Sequence, residues 1–280
     1  HKNIGVGESI MSSFVSKRRD HISLINSSDK LVLNNQIADA VYLTNSFQMI
    51  FETYSPRQFS FYNGRNYCTR SSFEVARQMK ITTLSTENSG HRQGSYTIFK
   101  NSLPHDINEN TRKAMSLWDS SNDFEAREKT GRQYFELKER GSAVIGKSYV
   151  GKHEPDLPNG LLDQSSTNIG LFTSSDDELF AVGRDWGGAI KSQEEGIKLV
   201  LDILKETPNY KVYIRMHPNL ITAARSVIQP IIDLCEQYDN VFIIRPDSGI
   251  SSYALLRKVD KVITFGSTIG AEACFYRKPS

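Results

Sequence analysis

The last third of the chain constrains its fold more than any other part. YKVYIRMHPN at 210–219, VFIIRPDSG at 241–249 and KVITFGST at 261–268 each run β-branched and aromatic residues into a small polar cluster. Such runs are too apolar for strands with one solvated face and fit strands covered on both sides. Helix-like segments at 192–207, 221–238 and 251–258 alternate with them, which predicts a parallel, doubly wound α/β sheet. Open sheets of this kind bind ligands beyond the carboxyl ends of their strands. His217, Asp247, Ser248, Ser267 and Thr268 fall there.

Upstream the pattern is sparser. Residues 1–60 show weak periodicity, with one expected helix at 36–54. Gln58–Tyr62 reads as a short strand ending in Asn63-Gly64-Arg65, residues 71–79 as a helix, and 81–85 as a second strand ending in Thr86-Glu87-Asn88. Residues 107–140 are charged and helix-forming, and 141–166 are rich in Gly, Pro, Ser and Asn, the composition of a surface connection. A boundary there gives domains 1–160 and 161–280, the second opening with a strand at 168–173 that runs into Ser174-Ser175-Asp176-Asp177-Glu178. The expected architecture is two Rossmann-like, doubly wound domains facing a cleft, an arrangement able to hold a nucleotide and a second substrate together. The N-terminal half is expected to be incomplete, because it offers two convincing strands, and the chain stops at Lys278-Pro279-Ser280 where another strand is due.

Composition excludes several classes. Lys and Arg total 34 against 32 Asp and Glu, and a formal net charge of +2 gives no electrostatic footprint for a nucleic-acid partner. Cys68, Cys235 and Cys274 are odd in number and widely spaced, which fits reduced thiols rather than a disulfide framework or a zinc site. No apolar stretch approaches the about 20 residues that span a bilayer, and the start HKNIGVGESIMSS lacks a secretory apolar core. The expected protein is soluble and cytoplasmic, with the basic run Lys17-Arg18-Arg19 leaving peripheral membrane contact open.

Three ordered motifs carry a resemblance. They are Arg215-Met216-His217-Pro218-Asn219, then Ser251-Ser252-Tyr253-Ala254-Leu255-Leu256, then Gly266-Ser267-Thr268-Ile269-Gly270-Ala271-Glu272-Ala273 followed by Arg277-Lys278-Pro279. In this order the chain resembles bacterial surface-polysaccharide glycosyltransferases of the GT-B type, including capsule Kdo transferases and the bacterial sialyltransferases with a His-Pro motif. The resemblance covers residues 165–280, with weaker echoes over 60–105 and none over 1–55. It implies transfer of a sugar from a nucleotide-activated donor, CMP-linked by preference, to a glycan or lipid-linked acceptor, with no metal and no further cofactor.

The residues themselves leave two readings each. His217 ends a strand before a proline and is either a ligand-facing imidazole or the cap of the next helix; the resemblance implies that it donates to the donor's phosphate. Ser267 and Thr268, between Gly266 and Gly270, form either a phosphate cradle or an ordinary helix cap. The resemblance gives Glu272 the ribose hydroxyls and gives Ser251 and Ser252 contacts to base and phosphate, with helix capping as their alternative. Arg215, Asn219 and Ser248 complete the expected donor site, and Arg215 alternates with His217, so both are expected on one side of their strand. Asp177, in an acidic triplet, is either a sugar contact or a solvated first-turn acid. In the first half Glu87 is the candidate base that takes the acceptor hydroxyl's proton, or else an ion-pair partner of Arg65; His91 and His105 are the reserves. Asn63 and Arg65 are assigned to the acceptor or donor-sugar side. A nucleotide-sugar 2-epimerase of the same fold and a non-catalytic nucleotide- or glycan-binding protein are the competing functions.

Overall fold

The computed structural model describes residues 4–89, 95–141, 154, 156–175, 190 and 192–280. They divide into two compact units, the first running to Phe124 and the second starting at Glu125.

In the first unit, helices α1 (Gly7–Arg18), α2 (Ser27–Tyr54) and α3 (Tyr67–Gln78) accompany strands β1 (Gln58–Tyr62), β2 (Thr82–Asn88) and β3 (Tyr96–Lys100), and α4 (Ile107–Ser120) follows β3 in the chain. A reciprocal cap starts α2: the Asn26 side chain accepts from the Asp29 amide at 2.9 Å and the Asp29 carboxylate accepts from the Asn26 amide at 3.0 Å. Val75 and Ala76 of α3 pack with Ile4, Val6, Ile10, Ala40 and Phe51. The strand order is β1-β2-β3. β1 and β2 are parallel, with Tyr62 opposite Thr86, and β3 adds an antiparallel edge, with Thr97 opposite Glu87.

The second unit holds α5 (Phe124–Glu139, from Glu125 on), β4 (Thr167–Phe172), α6 (Gln193–Lys205), β5 (Tyr210–Arg215), a 3-10 helix (Pro218–Thr222), α7 (Arg225–Cys235), β6 (Val241–Ile244), α8 (Ser252–Lys258), β7 (Lys261–Thr264) and α9 (Ile269–Phe275). All pairings are parallel in the order β6-β5-β4-β7. The crossovers leave one core on each face. Ile197 and Leu201 of α6 join Val227 and Ile231 of α7 and Leu171, Val212 and Ile214 of the sheet on one face. On the other, Leu255 and Leu256 of α8 and Ala273 of α9 pack with Phe172, Tyr213 and Val262. The sheet is therefore doubly wound, as its apolar runs require.

The chain divides at Phe124 instead of near residue 160. The reason lies in the last turn of α5, where Phe135 stacks on Phe275 with centroids 4.9 Å apart. Beside it Glu139 takes an ion pair from Arg257 and a hydrogen bond from the Tyr276 hydroxyl. The helix expected over 221–238 starts only at Arg225, because Ala223 and Ala224 are extended after the 3-10 helix. No described helix is long and apolar enough to cross a membrane.

Gly196 of α6 lies under the Phe265 ring, and a Cβ there would meet Phe265 Cε1 at 2.3 Å. Gly196→Ala is expected to cost about 1–3 kcal/mol by overpacking, read as a lower midpoint in urea denaturation.

Candidate functional site

The order β6-β5-β4-β7 contains a reversal. Successive strands are laid down from β4 outward to β6, and the chain then crosses back to place β7 on the other side of β4. Ligands of open α/β sheets bind at such a reversal, beyond the carboxyl ends of the strands. The loop after β4 supplies Thr173, Ser174 and Ser175, all buried. Ser174 Oγ donates to the Phe265 carbonyl at 2.6 Å, its amide donates to Gln193 Oε1 at 2.5 Å, and Gln193 Nε2 donates back to the Ser174 carbonyl at 3.1 Å. These bonds pin the loop to the end of β7 and the start of α6. Sequence reasoning missed Gln193, which reads locally as one more polar residue at a helix start.

His217 follows β5 and is fixed from two directions. Its amide donates to Thr173 Oγ1 at 2.9 Å, and its Nδ1 accepts from the Asn219 amide at 3.1 Å, with Ser175 Oγ 3.4 Å away. An imidazole nitrogen that accepts from a backbone N–H carries no proton, so the neutral ring holds its proton on Nε2. The capping and ligand-facing readings of His217 are therefore compatible, since the cap sets the tautomer that makes Nε2 a donor. Asn219 enters this arrangement through its backbone.

Arg215 departs from the expectation. It is 1% exposed, so it does not share an open position with His217. Its Nη1 donates to the carbonyls of Met216 at 3.1 Å and Arg245 at 2.6 Å, tying the end of β5 to the loop after β6. Nε and Nη2 have no hydrogen-bond partner among the described residues. Burial lowers the guanidinium pKa to about 10, against the opposing pull of Asp247. In the stapled loop the Ser248 amide donates to the Arg245 carbonyl at 3.1 Å, and Ser248 Oγ accepts from the Ile250 amide at 3.2 Å.

Ser251 is the cap of α8, accepting from the Ala254 amide at 3.3 Å, and Ser252 is the first residue of that helix. Ser267 accepts from the Ile269 amide at 3.4 Å after a turn in which Gly266 has φ 71°, a left-handed conformation natural to glycine. Thr268 is helical and makes no cap hydrogen bond. Instead Thr268 Oγ1 donates to Glu272 Oε1 at 3.1 Å and accepts from Lys138 Nζ of α5 at 2.9 Å. Glu272 is 2% exposed and ion-paired with Lys138, neither solvated nor open to a ribose. Burial and this carboxylate push the Tyr253 hydroxyl pKa up. Lys138 was invisible to local reasoning, because it lies 134 residues from its partner.

The first unit gathers a second polar group at the ends of β1 and β2. Glu87, expected just after a strand, lies within β2. Its Oε1 accepts from the Tyr62 hydroxyl at 2.7 Å and the Asn88 amide at 2.9 Å, and Asn63 Nδ2 donates to Oε2. Glu87 raises the Tyr62 pKa through that hydrogen bond. Asn63 has φ 62° and Gly64 φ 81°, a left-handed pair that turns the chain sharply after β1. Asn63 Oδ1 accepts from the Arg65 amide at 2.9 Å and lies 3.2 Å from His105 Nε2. Arg65 reaches Ser16 Oγ at 3.2 Å instead of acting as an ion-pair partner of Glu87. Asp177 and His91 lie outside the described residues, among which no group of three or more His, Cys, Asp or Glu could hold a metal ion.

Residues 177–280 match the model of a family described as capsule polysaccharide biosynthesis protein. No curated protein matches the chain. Among solved structures the chain is similar to the S. aureus MnaA–UDP co-structure, at 12% identity and a TM-score of 0.36 over 97% of this chain and 75% of that one. It is also similar to the UDP-GlcNAc 2-epimerase of Neisseria meningitidis bound to UDP-GlcNAc, at 16% identity and a TM-score of 0.30 over 93% and 66%. The Methanocaldococcus jannaschii UDP-GlcNAc 2-epimerase in complex with UDP-GlcNAc and UDP is similar at 11% and 0.33 over 98% and 79%. At these identities and TM-scores the likeness says nothing about activity.

Two outcomes follow from the charges. Lys138→Met strands the buried Glu272 carboxylate and is expected to cost about 2 kcal/mol in urea denaturation, most of it recovered in Lys138→Met/Glu272→Gln. Burial, with Arg65 and Arg70 nearby, holds the His105 pKa below the ordinary 6.5 although Glu87 opposes it. The unfolded chain then binds the proton more readily. The stability that His105 contributes is complete above 6.5 and is lost as pH falls from 6.5 to the folded pKa. His105→Gln should flatten that acid-side loss in a pH series of denaturation curves.

Proposed function

We propose that the chain is a nucleotide-sugar-dependent glycosyltransferase of the GT-B type, acting in the assembly of a capsular or other surface polysaccharide. The observation that carries this reading is the fixed His217, whose Nε2–H is set by its own cap at a strand reversal, inside the segment that matches the capsule-biosynthesis family. The donor phosphate is received by His217 Nε2 and the hydroxyls of Ser175 and Ser267. Hydrogen bonds to an oxygen that gains charge as the nucleotide departs are strongest in the transition state, so no metal is needed in this reading. Arg215 and Gln193 act on the ligand indirectly, by holding the loops that present these groups. The base and ribose are bound near the loops at 245–252 and 266–268. The acceptor is bound by the first unit's polar cluster, with Asn63 and Glu87 as its contacts. A CMP-linked donor is the preferred member of the class.

A ligand that binds only the folded state at about 100 times its Kd stabilises it by about 2.7 kcal/mol. In a thermal-shift panel of CMP, UDP, GDP and dTDP, one nucleotide is expected to raise the Tm of the wild type and to lose most of that effect in His217→Ala. Equal shifts in both proteins, or none with any nucleotide, refute the donor site. Conversion of the donor sugar without an acceptor would replace the transferase by an epimerase.

A further inference from the structure

We infer that the outer face of α2 is the interface of a symmetric dimer, in which α2 of one chain packs antiparallel against α2 of a second copy. One face of this helix is spent on the first unit's core: Ala40, Thr44 and Phe51 are buried, and Leu33 and Phe47 pack against the same cluster. The opposite face meets water and is nevertheless apolar. Leu31 is 63% exposed, Tyr42 72% and Met49 67%. At about 3.6 residues per turn these three fall in one stripe, on the far side of the helix from Ala40 and Phe51. A solvated helix face is ordinarily polar, and a contiguous apolar stripe marks a surface that another molecule covers.

The order of residues along the stripe says what that molecule is. Leu31, Asn35, Ala38, Tyr42, Asn45 and Met49 recur at alternating spacings of four and three residues, the repeat of a seam that packs on another helix. From Leu31 to Met49 the seam is about 27 Å long at 1.5 Å per residue. Laid antiparallel on a copy of itself, it sets Leu31 against the partner's Met49, Asn35 against the partner's Asn45 and Ala38 against the partner's Tyr42. Apolar thus meets apolar, amide meets amide, and a small residue meets a large one. The two-fold axis repeats every layer, so the patch is complementary to itself, as a symmetric dimer requires. A parallel copy would instead place Ala38 on Ala38, leaving a gap, and Tyr42 on Tyr42.

Charge makes the same choice. Lys30, at the start of α2, and Glu52, near its end, are both exposed. Antiparallel pairing brings each lysine to the end of the helix that carries the partner's glutamate, whereas parallel pairing puts like charges together. Asp29 does not disturb this match, because it is already paired with Arg18 at 3.2 Å. A face that mixes Lys30 with Asp39 and Glu52 is also a poor fit to an anionic lipid surface, which selects basic polar flanks.

The test measures the mass in solution and the register together. Sedimentation velocity of the full chain at about 100 μM, above the micromolar Kd of the weaker standard interfaces, is expected to give twice the 31.7 kDa of one chain. Leu31→Lys and Met49→Glu change exposed positions, where substitution is tolerated by the fold. Each is expected to sediment as a monomer with an unchanged far-UV circular dichroism spectrum. In Leu31→Lys/Met49→Glu the two new charges stand too far apart to pair within one helix, but antiparallel packing sets each against its opposite on the second copy. This double variant is expected to regain the dimer and to lose it again as salt is raised. A wild type that stays monomeric at this concentration assigns the face to some other occupant and overturns the inference. A dimer that survives both single variants, or a double variant that remains monomeric, overturns it as well. None of these outcomes depends on what the second unit binds.

Discussion

The loop-bearing edge of the second unit depends on β4, the strand that hydrogen-bonds to β5 on one side and to β7 on the other. Its residues from Asn168 to Phe172 are all buried, so it cannot be shifted or reversed without exposing the middle of both cores. Parallel pairing gives every strand the same direction, and each connection therefore leaves from the same edge. The loops after β4, β5, β6 and β7 are brought together by this rule, whatever their own sequences. What those sequences decide is how each loop is then locked: Ser174 to Phe265 and Gln193, His217 to Thr173, and the 245–248 segment to Arg215.

Two buried charges show how much organisation rests on desolvated groups. Glu272 Oε1 is held by Lys138 and Thr268, which fastens the last turn of α5 over the start of α9, while Oε2 has no hydrogen-bond partner among the described residues. Arg215 is satisfied in part, through two carbonyls, with Nε and Nη2 left over. An incompletely paired buried guanidinium is costly in a core, and the two carbonyl bonds at this strand end offset only part of that cost. The same economy is visible in the first unit, where Asn63 serves Glu87, the Arg65 amide and His105 at once. In each case a single side chain with several donors or acceptors fixes more than one loop, so substitution there acts on geometry as well as on charge.

Much of the second unit was legible because a strand covered on both faces leaves a local mark. YKVYIR, VFII and KVIT are each continuous apolar runs, and β5, β6 and β7 begin and end close to where those runs do. β3 left no such mark: in YTIFK, Phe99 is the one buried residue. α1, with the sequence GESIMSSFVSKR, mixes serines with few apolar residues and lacks a clear stripe. Of its two buried serines, Ser9 returns its hydroxyl to the Val6 carbonyl at 2.6 Å, whereas Ser12 Oγ has no hydrogen-bond partner among the described residues. In the motifs, Ser251 and His217 showed the cap and the ligand-facing candidate as alternatives; the structure makes Ser251 a cap and gives His217 a cap that also sets its proton.

The sequence by itself determined the class of the fold, the direction and position of the second unit's strands, and the polar residues that follow them. Those features come from hydrophobic period and turn chemistry, which act over a few residues. Tertiary structure alone decided that Arg215 turns inward, that Glu272 belongs to Lys138, that α5 joins the second unit, and that Asn63 couples Glu87 to His105. Each of these depends on which groups from distant parts of the chain share a desolvated space. A charge or an amide has no local period that announces its partner, so its role appears only when the surrounding elements have closed around it.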